Sequence, residues 1–204
     1  MRRLFIVGCS GHGKVAADIA VKMCKYDEVC FLDDHPKNDS CMGFPVVGNS
    51  DFVDISNSDE IFVAIGNATI REKLLDVYKS TGRNIATLIH PDAVIGMNVK
   101  IGDGTIIMAG AVINPDTELG SGVIVNTGAT IDHDNFISDY VHVSVGAHLA
   151  GTVTVGKSTW IGAGAVVSNN TFICRDCIIG AGAAVLRDIR EEGTYVGIPV
   201  RKIE

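Results

Sequence analysis

No apolar run in this chain approaches the length of a membrane span. Glycine or polar residues interrupt each one, although the mean hydropathy is +0.28. The sequence also lacks any block of lysine and arginine, and its 17 basic and 24 acidic residues leave a formal charge of −7. Such a chain is a poor partner for nucleic acid or for an anionic membrane surface. Only four apolar residues, Leu4 to Val7, follow the opening Met1-Arg2-Arg3, too few for the hydrophobic region of a signal peptide. The six cysteines (Cys9, Cys24, Cys30, Cys41, Cys174 and Cys177) form no secreted-type framework, which points to reduced thiols and a cytoplasmic location. Cys174 and Cys177 make a C-x-x-C, but no second pair or nearby histidine completes a zinc site, so no metal is expected there. Aromatic residues are scarce at 6%, which suits a narrow interior that rejects large rings. A length of 204 residues allows one large domain or two small ones.

Two different periods divide the chain. Residues 1–90 alternate strands and helices. Leu4–Val7, Val29–Leu32, Pro45–Val47, Ile61–Ile65 and Ile85–Ile89 read as short strands, with helices over Lys14–Cys24 and Ile70–Lys79. That order predicts a small Rossmann-like α/β unit with a parallel sheet. Residues 91–190 instead repeat every six. From Ile95 to Val185, each sixth residue is Ile, Val or Leu, 16 in all. The residue two before each is small or β-branched, with Asn135 the exception, and glycine follows the aliphatic residue at Gly96, Gly102, Gly120, Gly156, Gly162 and Gly180. Neither a helix nor a plain strand has this period. It is the signature of a hexapeptide parallel β-helix. The small residue is assigned to turning the corner. At eighteen residues per coil, the 90 residues from Ile95 to Val185 make five coils, a prism about 24 Å long at strand spacing. Residues 191–204 remain as a C-terminal tail. A prism with flat strand-built faces exposes apolar wall residues unless it associates, and closed cyclic symmetry would bury them.

Chemistry-bearing residues fall in both parts. Gly8-Cys9-Ser10-Gly11-His12-Gly13 ends a strand and opens a helix, the setting of a phosphate cradle, though its spacing is G-x-x-G-x-G. The alternative is a tight strand–helix turn. Asp33-Asp34 ends the second strand, where an acidic residue often meets a ribose or base. A pyrophosphate-linked nucleotide accounts for both features. Among the histidines, His90 lies in the link before Pro91 and reads as structural, and His35 has no assigned role. His133, His142 and His148 lie in the coils, off the buried row. Three wall histidines also suggest the zinc site of hexapeptide-repeat carbonic anhydrases. However, His142 and His148 are one hexapeptide apart, hence on different faces, and cannot easily address one ion from one chain. Gly151 is one coil beyond His133 and should stack beside it, with an N–H available to a developing oxyanion.

In order, V-G-C-S-G-H-G-K (7–14), F-L-D-D (31–34), A-I-G-N (64–67), D-H-D (132–134), V-H-V-S-V-G-A-H-L-A-G (141–151) and Y-V-G-I-P (195–199) resemble bacterial nucleotide-sugar acetyltransferases. The type most similar is the UDP-4-amino-sugar N-acetyltransferases of the bacillosamine pathway. Sialic acid O-acetyltransferases share the architecture. The resemblance implies a left-handed β-helix and a homotrimer with active sites between subunits. It also implies acetyl-CoA as co-substrate and a UDP-4-amino-4,6-dideoxy sugar as acceptor. Ser10, Gly11 and His12 would hold the phosphates, Asp33 and Asp34 the uridine, and Gly66 would close that pocket. His133 would be the catalytic base assisted by Asp134, where the family pattern has Glu. His142 would contact acetyl-CoA, as would backbone near Ala163 and Ala181. Two other readings stand beside this one: O-acetylation of a sialic acid, and a non-catalytic trimeric scaffold that binds a nucleotide sugar.

Overall fold

Short apolar runs ending in glycine or acid become the parallel strands of the first unit. The computed structural model describes residues 1–52 and 54–203, and the chain divides into two compact units, 1–91 and 92–204. In the first unit, β1 (Arg3–Val7), β2 (Glu28–Leu32), β4 (Phe44–Gly48), β5 (Glu60–Val63) and β6 (Asn84–Ile85) run parallel, and β3 (Ser40–Cys41) adds an antiparallel edge. The sheet order is β3-β4-β2-β1-β5-β6. Leu4, Phe5, Ile6, Phe31, Leu32, Ile61 and Phe62 fill its core. Two helices complete the unit, α1 (Gly11–Lys22) and α2 (Ala68–Ser80). The hairpin strand β3 was not legible in the sequence, and α1 begins three residues before the expected Lys14.

The second unit is a parallel β-helix. Each coil contributes one short strand, of two residues in all but Cys177–Ile179, to each of three sheets, and strands pair with those eighteen residues away, as Thr130–Ile131 pairs with His148–Leu149. One sheet holds six strands from Val94–Ile95 to Ala184–Val185, which makes five full turns. Fourteen of the sixteen aliphatic residues are buried, and Ile95 and Ile101 of the first coil are half-buried. Each buried side chain contributes roughly 1.5–3 kcal/mol of transfer free energy. The C-terminal residues belong to this unit as well, since Gly193–Val196 pairs in parallel with Cys177–Ile179.

The corners are not turned where the sequence pattern put them. The small residue lies packed inside. The turn is made three residues after the aliphatic one, at Asn98, Gly104, Gly110, Asp116 and every sixth position to Gly182, all with φ between 54° and 73°. Glycine, asparagine and aspartate favour that left-handed conformation, and most of these corners use them. The glycines directly after the aliphatic residue serve close approach instead: a Cβ on Gly102 would lie 2.5 Å from the backbone of Gly120 in the next coil.

Candidate active site

Within the first unit, the turn between β1 and α1 is shaped by two glycines. Gly8 has φ +100°, and a Cβ on Gly13 would stand 1.9 Å from the Gly8 carbonyl oxygen. Helix α1 therefore starts tightly against β1. Ser10 is its N-cap without a side-chain capping bond, and its first turn carries no acid. Positive helix-end dipole and free hydroxyl face a cavity of about 570 Å³. Ser10, Gly11 and Asp33 line it together with Lys14, His35 and Lys37. The Asp33 carboxylate accepts from the N–H groups of Cys9 (2.8 Å) and His35 (2.9 Å). Burial alone would raise its pKa, but these bonds outweigh it and hold the group below its ordinary value. Asp33 thus ties the glycine turn to the end of β2 and presents a fixed negative charge.

The other expected nucleotide contacts are not on this lining. The His12 ring packs edge-on to Phe62 at 6.3 Å, and its Nε2 is buried without a partner. Burial, and then the Arg71 guanidinium, push its pKa down to about 4, so the imidazole is neutral at pH 7. The Asp34 carboxylate accepts from Ser50 N–H (2.8 Å) and Oγ (3.0 Å), and the Gly66 carbonyl accepts from buried Arg71 (2.9 Å). The lining by His35 and by the cation Lys37 was missed in the sequence because their loop has no period. Lys14 stands within the quoted glycine motif.

Within the β-helix, His133 sits on the turn joining the strands Thr130–Ile131 and Phe136–Ile137. Its Nδ1 lies 2.7 Å from Asp134 Oδ2, and its N–H donates to Asp132 Oδ1 at 2.8 Å. Hydrogen bonding to Asp134, chiefly, raises the pKa of His133. An ionised Asp134 can only accept, so Nδ1 carries the proton and Nε2 keeps its lone pair. The ring lies directly over Gly151: a Cβ there would stand 2.7 Å from both Cε1 and Nε2. The eighteen-residue register thus brings the two together, and any larger residue would displace the ring. Asp134 occupies a left-handed corner (φ 56°), which a short aspartate accommodates better than glutamate.

His142 lies on the third sheet, whose strands include neither the Thr130 nor the Phe136 segment. Its ring stacks on Trp160 with centroids 5.6 Å apart and planes 4° apart, and its Nε2 is 3.2 Å from Asn126 Nδ2. Ala163 and Ala181 precede Gly164 and Gly182 on the corner that follows this strand. That corner carries glycine in five consecutive coils, Gly110, Gly128, Gly146, Gly164 and Gly182. His148 belongs to the sheet of Thr130–Ile131, with its Nδ1 2.8 Å from Thr130 Oγ1. The thiols of Cys174 and Cys177 lie 3.4 Å apart, and among the described residues no three His, Cys, Asp or Glu side chains converge as metal ligands. No helix among the described residues is long and apolar enough to cross a membrane.

An α/β unit with a nucleotide-type turn, followed by this coil, defines a hexapeptide-repeat transferase. Residues 3–78 match the PglD N-terminal domain family and residues 98–133 the bacterial transferase hexapeptide (six repeats) family. The acetyltransferase domain of PglB from Neisseria gonorrhoeae FA1090 is 38% identical, with 100% of each chain covered and a TM-score of 0.97. PerB from Caulobacter crescentus, solved with CoA and GDP-perosamine, is 33% identical over 98% of this chain and 97% of that one, with a TM-score of 0.89. The UDP-N-acetylbacillosamine N-acetyltransferase of Bacillus subtilis (strain 168) is 36% identical over 111 residues, so the match spans 52% of this chain and only 51% of that curated relative. The chain belongs to the PglD-type family of hexapeptide-repeat sugar N-acetyltransferases, whose second unit is a left-handed β-helix.

Proposed function

We propose that the protein transfers acetyl from acetyl-CoA directly to the amine of a UDP-4-amino-4,6-dideoxy sugar, with His133 as general base. The observation that carries this reading is the Nδ1–Asp134 bond of 2.7 Å, which leaves Nε2 as acceptor above Gly151. The amine lone pair attacks the thioester carbonyl, and Nε2 takes the proton that the nitrogen loses. Asp134 stabilises the imidazolium that forms. The Gly151 N–H meets the oxyanion of the tetrahedral intermediate. Collapse expels the CoA thiolate, which receives the proton from His133. The first unit, residues 1–90, holds the nucleotide sugar. Lys14, Lys37 and the α1 N-terminus supply positive charge for a pyrophosphate. The choice of uridine over guanosine draws on the bacillosamine-type resemblance.

Residues 91–190 form the acyltransferase part. The glycine corner supports acetyl-CoA along that edge. Elsewhere the same backbone conformation is taken by Asn98, Asp116 or Thr152, and a Cβ on Gly128, Gly146, Gly164 or Gly182 would meet nothing within 4 Å. Neither strain nor internal packing explains these glycines, whereas close approach of a rod-shaped pantetheine does. Within one chain, His133 is on the corner opposite the sheet that carries His142. One site using both therefore needs two prisms side by side, which favours a homotrimer with sites between subunits. Acetyl-CoA consumption with UDP-, TDP-, GDP- and CMP-amino-sugars tests the reading. The UDP-sugar should give the highest kcat/KM. Turnover confined to a sialic acid, or none with any acceptor, would overturn it in favour of O-acetylation or a scaffold.

The only tryptophan of the sequence reports on the proposed acetyl-CoA edge. Trp160 is half-exposed and stacked on His142. Its emission should change saturably as acetyl-CoA is added and stay constant with UDP alone. Saturation of turnover with no change in Trp160 emission would put acetyl-CoA elsewhere.

A further inference from the structure

We infer that Asn135 is the positioning residue of His133. The inference rests on the reading of His133 as base. Asn135 is the one clear break in the small-residue column of the coils, and its side chain is buried. The column carries threonine at four equivalent positions; Thr171, near its end, points its hydroxyl at Asn169 O (3.5 Å), and at the other three the hydroxyl does two things. Thr105, Thr117 and Thr159 each donate to the carbonyl fifteen residues on (Gly120, 2.9 Å; Asp132, 2.8 Å; Cys174, 2.8 Å). Each also accepts from the N–H eighteen residues on (Val123, 3.1 Å; Asn135, 3.3 Å; Cys177, 3.2 Å). The pair of bonds stitches one coil to the next.

Asn135 makes both stitches: Nδ2 donates to Ala150 O at 3.0 Å, and Oδ1 accepts from Val153 N–H at 3.2 Å. A hydroxyl has spent its only proton at that point. The amide has a second N–H, and Nδ2 also reaches back to Asp132 O (2.7 Å) and His133 O (3.1 Å). This brace closes on the turn that bears His133. The other contacts of that turn fit the same purpose. The His133 carbonyl also accepts from Thr152 N–H (2.9 Å), next to Gly151. On the other side Asp132 Oδ1 holds the His133 N–H and itself accepts from Asn114 Nδ2 (2.7 Å). The peptide groups on both sides of His133 are therefore fixed, one by a carboxylate and one by the Asn135 amide. Within the chain the ring lies against Gly151 on one side and is otherwise exposed, so its backbone and Asp134 set its position. A base must stand within hydrogen-bond reach of its proton, and errors near 1 Å cost about 10²-fold in rate.

Asn135→Thr separates the brace from the stitches, because Thr117 occupies the equivalent place one coil earlier. Asn135→Thr should keep the wild-type thermal midpoint and both KM values. Its kcat should fall by roughly 10- to 100-fold. The acidic limb of its kcat–pH profile should move toward ordinary imidazole as the Asp134 alignment loosens. In a His133→Ala background the same substitution should have no further effect on kcat. Asn135→Ala is the second variant, since Ala129 and Ala147 already fill equivalent interior positions and carry no donor, and its kcat should fall alike. Wild-type kcat and pH limb in both variants, with His133→Ala inactive, overturns the positioning role and leaves the base intact. A fall in kcat matched by a lower thermal midpoint and raised KM values overturns it in favour of a purely structural role. Full activity in His133→Ala overturns the base reading and this inference together.

Discussion

His133→Ala is expected to lose roughly 10²–10⁴ in kcat while acetyl-CoA and the nucleotide sugar bind as before. The histidine and Asp134 are 57% and 58% exposed, so their ion pair adds little to stability and the variant should melt like the wild type. A loss of rate is then a loss of chemistry. The pH dependence carries the same assignment with a definite sign. Asp134 raises the pKa of His133, and only the neutral ring accepts a proton. Activity should therefore rise with pH through a value above the ordinary imidazole pKa of about 6.5. Asp134→Asn removes the charge that holds the pKa up, so the acidic limb should move to lower pH. The plateau should fall too, because the imidazolium loses its partner. Asp134→Glu restores the charge but puts a longer side chain on a left-handed corner (φ 56°), and it should recover the limb without the full plateau. Unchanged kcat in His133→Ala would shift attention to His142.

The β-helix was legible because its signal is a period. A six-residue aliphatic row survives any change in the residues between, and eighteen residues per coil is enough to place Gly151 beside His133 before any coordinates exist. The phase of the corner was not legible. The left-handed position is filled by glycine, asparagine and aspartate, but also by Tyr140, Thr152 and Ser158, so no residue type marks it. Asn135 was visible only as an exception, since the sequence gives no hint that an amide has one proton more to donate than a hydroxyl. In the first unit, apolar runs gave the strands except the expected Ile85–Ile89, which divides into Asn84–Ile85 and Leu88–Ile89, and the apolar stripe gave the helix start to within three residues. Side-chain direction was beyond reach: His12 belongs to the motif, yet its ring turns toward Phe62 and Arg71, while Lys37 lines the cavity from an aperiodic loop.

Two glycines two residues apart in the turn between β1 and α1 should respond in opposite ways. Gly13→Ala puts a methyl group 1.9 Å from the Gly8 carbonyl oxygen and 3.2 Å from the Phe31 ring, and the oxygen is backbone that cannot swing aside. Helix α1 would have to lift from β1. Overpacking of this kind costs about 1–3 kcal/mol or more, and for a unit near 90 residues each kcal/mol lowers the midpoint by about 4–8 °C. The expected result is a thermal midpoint for residues 1–91 lower by on the order of 10 °C, with nucleotide affinity lost in step. Gly11 is the opposite case. It is the first residue of α1, it is exposed, and a Cβ there meets nothing within 4 Å. Gly11→Val should therefore fold and melt normally. Its isopropyl group would project into the cavity lined by Ser10, Lys14 and Asp33, where the phosphates approach the helix N-terminus. Loss of one charge-assisted hydrogen bond, about 1.5–3 kcal/mol, raises KM for the nucleotide sugar by roughly tenfold or more and leaves acetyl-CoA affinity alone. Calorimetry on both variants with two-substrate kinetics on Gly11→Val separates the outcomes. A normal midpoint for Gly13→Ala would contradict the packing of the turn. An unchanged sugar KM for Gly11→Val would move the phosphates away from this helix end.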